Sequence, residues 1–178
     1  MDKSEDIENL VQAYIDKNFK PNAPKESSAG AAAMLAPIFS VTPIFSAIMH
    51  FEPDEIDFRR SFNENKHETF SEMIMRLVNE SGEKNSVIYN RANIDRRHFS
   101  KIISHKDYKP TKQTALAFAV ALKLDFERTK ALLAAAGYVL TKSTLFDVIV
   151  SCFIEHKIFD VDYVNRILYK YNQPLLGG

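Results

Sequence analysis

The fold turns on residues 84–104, which read Lys84-Asn85-Ser86-Val87-Ile88-Tyr89-Asn90-Arg91-Ala92-Asn93-Ile94-Asp95-Arg96-Arg97-His98-Phe99-Ser100-Lys101-Ile102-Ile103-Ser104. Val87, Ile88, Tyr89 and Ala92 sit at helical rather than alternating spacing, and Ser86 stands where it can cap a short helix. Asn93-Ile94 makes a brief turn. Asp95, a strong N-cap residue, then opens a second short helix that turns Phe99, Ile102 and Ile103 inward. Two short helices are expected, and neither can bury its apolar side alone.

Neighbouring segments supply the missing partners. Upstream, Thr69-Phe70-Ser71-Glu72 matches the capping-box pattern. Phe70, Met73, Ile74, Leu77 and Val78 then share one helical face, and Gly82 stops the helix. Downstream, Pro110-Thr111 opens a helix from Lys112 to Leu122 that is alanine-rich and apolar on most sides, as a central buried helix is. Asp125-Phe126 begins a fifth helix ending at Ala136-Gly137. A sixth follows Ser143-Thr144, with Phe146, Ile149, Val150, Phe153 and Ile154 inside. A last one starts at Asp160, carries Val161, Val164, Ile167, Leu168 and Tyr171, and is closed by Pro174. No stretch alternates with period two long enough for a strand. The expected fold class is all-α, five helices plus two C-terminal ones.

The N-terminal third reads differently. Residues 5–19 place Ile7, Leu10, Val11, Tyr14 and Ile15 at helical spacing, a short amphipathic helix. Pro21, Pro24 and the Ser/Ala/Gly run that follows read as linker. From Ser27 to Phe51 no residue is formally charged, and Pro37-Ile38-Phe39-Ser40-Val41 repeats as Pro43-Ile44-Phe45-Ser46-Ala47. Two prolines, a glycine and several hydroxyls argue against a membrane span, which needs about 20 apolar residues. An acidic N-terminus argues against a signal peptide. Two readings stay open: a linker packing partly on the domain, or a docking or self-association segment over residues 34–51. The expected organisation is a flexible arm over 1–66 and a helical domain over 67–178.

Length and composition fit that division, since 178 residues with 46% hydrophobic side chains can build one ordinary core plus an arm. The single cysteine, Cys152, excludes a disulfide framework or a Cys-based zinc site and fits a reducing, cytoplasmic setting. Charge cancels overall, 23 basic against 23 acidic residues, but is unevenly placed. Residues 84–112 hold 8 basic side chains against Asp95 and Asp107, whereas residues 52–83 hold 9 acidic against 4 basic. A concentrated positive window is the electrostatic footprint of a phosphate-contacting surface.

That window coincides with the two short helices, which have the proportions of a helix-turn-helix. In such a motif the second helix enters the DNA major groove by its N-terminal end. With Phe99 and Ile102 inward, helical geometry puts Arg96, Arg97, Ser100, Lys101 and Ser104 on or beside the open face. Arginine can fork onto O6 and N7 of guanine, and serine serves base or phosphate. Lys106, Lys109, Lys112 and Gln113 follow in the loop and next helix start, where lysines would clamp phosphate with help from the amides of residues 112–114. Double-stranded DNA is the expected partner. Tight binding would call for a homodimer or a second protein, held through residues 34–51 or the C-terminal helices.

Residues 84–136 resemble the repressor-type helix-turn-helix domains of bacteria and phages, the family of lambda repressor and Cro. The resemblance is carried by Val87 to Ile94, by Phe99-Ser100-Lys101-Ile102, and by Pro110 to Leu124 with its Thr114-Ala115-Leu116 and Ala119-Val120-Ala121-Leu122 core. The wider span from Thr69 to Leu176 resembles a bacterial domain of that fold with two added C-terminal helices. The resemblance implies a transcription regulator whose reading helix is 95–104. Two departures are evident. Asn93 stands where the family usually has glycine, and asparagine tolerates the left-handed conformation. Arg96-Arg97 stands where glutamine is frequent, which shifts the expectation toward guanine or phosphate.

Other chemistries find no support. His50, His67, His98, His105 and His156 show no metal-ligand spacing. Cys152 reads as a core thiol on an apolar helix. There is no glycine-rich phosphate loop and no nucleophile elbow. No catalytic residue, metal or cofactor is therefore expected. The Leu175-Leu176-Gly177-Gly178 ending reads as a frayed terminus. One alternative stays open, a protein-interaction adaptor in which the arm or the C-terminal helices dock a partner. Arg96 and Arg97 could also pair with the acidic 52–83 segment.

Overall fold

The structure, a computed structural model, describes residues 3–21 and 68–178. Among these residues every regular element is a helix: α1 (Lys3–Asn18), α2 (Phe70–Ser81), α3 (Asn85–Arg91), α4 (Arg96–Ser104), α5 (Lys112–Ala121), α6 (Phe126–Ala135), α7 (Leu145–Glu155) and α8 (Val161–Lys170). The starts follow from local chemistry. Thr69 and Glu72 form the reciprocal capping box, and Asp95, Thr111, Asp125 and Asp160 each accept an amide hydrogen from the first turn they precede. Gly82 and Gly137 close α2 and α6 in the left-handed conformation, where a Cβ would be strained.

One start differs from expectation. Ser86 does not cap α3; the helix begins at Asn85, Lys84 is its N-cap, and no side chain takes the free amides there. Val87 correspondingly stays 42% exposed, and of the residues of α3 itself only Ile88 is buried.

Two helices form the centre. Every residue of α5 from Thr114 to Ala121 is buried, and α3, α6 and α8 pack around it. Small alanines let these neighbours approach, while Phe118 reaches Phe70 of α2 and Phe99 of α4. The second centre is α7. Its sequence reads as an amphipathic stripe, yet all residues from Phe146 to Ile154 are buried.

The cover on that outer face is α1. Val11 and Ile15 are buried against α7, and the Tyr14 ring meets His156 edge-on. Burial, together with a hydrogen bond to Glu155, pushes the Tyr14 phenol well above its ordinary range. Tyr171 donates its hydroxyl proton to Gln12 at 2.7 Å, Lys170 pairs with Glu8, and the Lys20 amide donates to Lys142 O at 2.8 Å. The helix assigned by sequence to the flexible arm therefore belongs to the same compact unit as residues 68–178. A 16-residue helix with so narrow an apolar face is marginal alone, and burial against α7 is what holds it. The linker, the Pro-Ile-Phe-Ser repeat, the 34–51 docking segment and the acidic stretch 52–66 lie outside the described residues. Among the described residues no helix is long and apolar enough to cross a membrane.

Candidate nucleic-acid interface

The site is built on α4, and α4 is fixed from two sides. At its start, one Asp95 carboxylate oxygen accepts the Arg97 and His98 amides at 2.7 and 2.9 Å. The His98 and Arg97 amides hold that carboxyl below the usual carboxylate range. Along its length, Phe99 and Ile102 are buried, with the Phe99 ring against Tyr89 of α3 and Phe118 of α5. Phe99 and Ile102 are three apart, so the opposite face opens to water.

Arg96, Arg97, Ser100, Lys101 and Ser104 are all exposed on that helix. Among the described residues, Arg96, Arg97, Lys101 and Lys109 have no ion pair. The glutamates of the described part of the acidic segment are engaged elsewhere: Glu68 with Arg76, Glu80 with Arg76 and Arg128, Glu83 with Arg91, and Glu72 with Lys106 at 3.4 Å. The part of the acidic segment that is described thus does not reach Arg96 or Arg97. Beyond Ser104, a shallow depression gathers Lys101, His105, Lys106, Tyr108 and Lys109 with Asp107. Ser71 of α2 donates to His105 O at 2.8 Å and anchors this loop.

Lys112 is placed differently from expectation. Its ammonium lies 2.6 Å from Asp147 Oδ1 and 2.7 Å from Oδ2, and donates to Val139 O at 2.6 Å. Asp147 on α7 is 1% exposed and Lys112 21%, so this is an internal lock rather than a free cation. Asp147 Oδ2 also accepts the Thr141 amide and hydroxyl, at 2.9 and 3.0 Å. Gln113 is half-buried, and the Thr114 amide, expected free for phosphate, donates to Thr111 Oγ1 at 3.2 Å.

Residues outside the expected DNA-contacting set belong to the site's support. His98 faces inward, its Nε2 2.7 Å from the Tyr108 hydroxyl. Asn93, at the turn before α4, has φ +54° and donates its side-chain amide to Asp162 of α8 at 2.8 Å. The chain after α8 does not fray: Leu176 is 4% exposed and exchanges two hydrogen bonds with the side chain of Asn165, at 2.7 and 3.0 Å. Two consecutive glycines in a chain with only five were the available signal for that close approach.

No family model matches the chain, and neither a curated protein nor a solved structure does. Cys152 is buried, with burial and then Glu155 pushing its thiol up to about 12, far from a reactive thiolate at neutral pH. No group of three or more His, Cys, Asp or Glu side chains able to hold a metal occurs among the described residues.

Proposed function

We propose that the chain is a DNA-binding transcription regulator. In this reading α2 to α6 are a repressor-type helix-turn-helix domain, α7 and α8 are additions to it, and α4 lies in the major groove. Arg96, Arg97 and Lys101 reach base edges and phosphates, with Ser100 and Ser104 beside them. Lys106 and Lys109 hold the backbone from the following loop. The observation that carries the reading is that Arg96, Arg97 and Lys101 form no salt bridge among the described residues, on the open face of a helix whose other face is locked into the core. Exposed cations outside any salt bridge of the described residues, carried on a rigid element, can meet an anionic partner at little ordering cost. Lys112 is no part of this set.

The test is binding of the full chain to mixed-sequence duplex DNA across a salt series, beside Arg96→Glu/Arg97→Glu. A steep loss of affinity with salt, corresponding to roughly three to five neutralised phosphates, and its abolition in the double variant are expected. Absence of binding at low salt would sink the reading.

A further inference from the structure

The segment after α8 reaches the turn that leads into α4. Leu176 is pinned by Asn165, whose side-chain carbonyl accepts the Leu176 amide and whose amide donates to the Leu176 carbonyl. Thr114, in the first turn of α5, donates its hydroxyl to Gly177 O at 3.2 Å. Gly177 has φ +122°, and a Cβ there would stand 2.9 Å from the backbone carbonyl oxygen of Asn93. At Gly178 a Cβ would stand 2.5 Å from the His98 ring, while the Gly178 amide points at Asn93 O at 3.4 Å.

The His98 ring thus meets the Tyr108 hydroxyl through Nε2 and occupies the space that a Cβ at Gly178 would need. The turn itself is tied to α8 a second time, through Asn93 and Asp162. Only a backbone without Cβ fits the gap between the turn and the ring. Both routes lead from α8 to the turn and first turn of α4, which also carries Arg96 and Arg97. None of the strapping groups lies among the exposed cations.

We propose that Asn165, Asp162, Gly177 and Gly178 are positioning residues, a strap from α8 that sets the angle at which α4 meets DNA. This rests on the reading of α4 as the DNA-contacting helix. A site built from side chains works only when the element that carries it is held to within a fraction of an ångström and a few degrees, and α4 is short enough to need outside support.

The full chain tests this with Gly177→Val, which expels the strap, Asn165→Leu, which removes both its hydrogen bonds, and Gly178→Ala as a milder change. Tyr169→Ala, on the exposed side of α8, is the control. Two readouts are taken: hydrogen exchange at the amides of residues 93–99 against those of α7, and affinity for mixed-sequence duplex DNA across salt. The strap predicts faster exchange at 93–99 with α7 unchanged, and a loss of affinity of about tenfold, the worth of a net hydrogen bond. The salt slope stays as in the parent chain, because the number of phosphates met is the same. Unchanged exchange at 93–99, or exchange raised equally in α7, overturns the proposal, the second outcome marking a general loss of stability. So does faster exchange at 93–99 with DNA affinity intact. Should the parent chain bind no DNA at all, the exchange arm still decides whether the strap holds α4, while the DNA reading fails by itself.

Discussion

Two neighbouring helices begin with basic residues and use them in opposite ways. At the start of α4, Arg96 and Arg97 are exposed and form no salt bridge among the described residues. At the start of α5, Lys112 closes on the buried carboxylate of Asp147. Nothing in the local sequence separates the two, since both starts follow a capping residue and lie in the same positive window. The difference arises in α7, which brings Asp147 into the core beside α5 and brings no acid to α4. A cation's role is fixed by the carboxylates that tertiary structure delivers to it, and a count of basic residues cannot see that.

The largest effect should come from breaking the inner pair. Lys112→Met leaves Asp147 charged and buried, and is expected to lower unfolding stability by about 3–5 kcal/mol in chemical denaturation. Asp147→Asn should cost less, because the Lys112 chain can swing its ammonium to water. Replacing both, Lys112→Met with Asp147→Leu, should recover most of the loss. A single Lys112→Met variant as stable as the parent would show that the lysine is free after all.

Next in size is the cover on α7. Ile15→Ala is expected to cost about 2 kcal/mol, the low end for such a truncation, because the site lies near the edge of the core. Hydrogen exchange should rise in α7 and leave α3 and α4 untouched. Equal exchange in all helices would mean that α1 is not a separable cover.

The cap of α4 gives a smaller, pH-dependent effect. Backbone amides depress the Asp95 carboxyl in the folded chain. Its contribution is complete above the unfolded value, about 3.9, and is lost as pH falls through the lower folded value. Asp95→Asn keeps the cap without the titration, so thermal melts from about pH 5 to pH 2 should fall less steeply than for the parent. Identical acid limbs would remove Asp95 from the acid response. Smallest of all, Arg96→Glu/Arg97→Glu should stay within about 0.5 kcal/mol of parent stability, since exposed side chains with no salt bridge among the described residues support little of the fold.

Sequence legibility follows the range of the interaction. The Thr69–Glu72 box, the caps at Asp95, Thr111, Asp125 and Asp160, and the stop at Gly82 could all be read, because each partner lies within a turn. The inward placement of Phe99 and Ile102 was legible for the same reason, and with it the exposed face of α4. The fate of Lys112 was not, because Asp147 is 35 residues away. Nor was the docking of α1, whose apolar spacing announces a helix without naming its partner. The strap over Asn93 and His98 was not legible either, since its Asn93–Asp162 contact spans 69 residues and a glycine pair reads equally well as a loose end. Ser86 misled for a local reason, since it and Asn85 both follow a plausible start and only backbone geometry chooses between them.

The position of α1 has a consequence for the order of assembly. Glu8 meets Lys170 across 162 residues and Gln12 meets Tyr171 across 159, so every described helix between them must be made before these contacts exist. Closing so long a loop delays contact formation, and α1 has only a narrow apolar face to offer in return. During synthesis it emerges before every other described helix and waits, unseated, until α7 and α8 have formed. Once seated, it is held mainly through α7, and local opening of that contact is expected to release it.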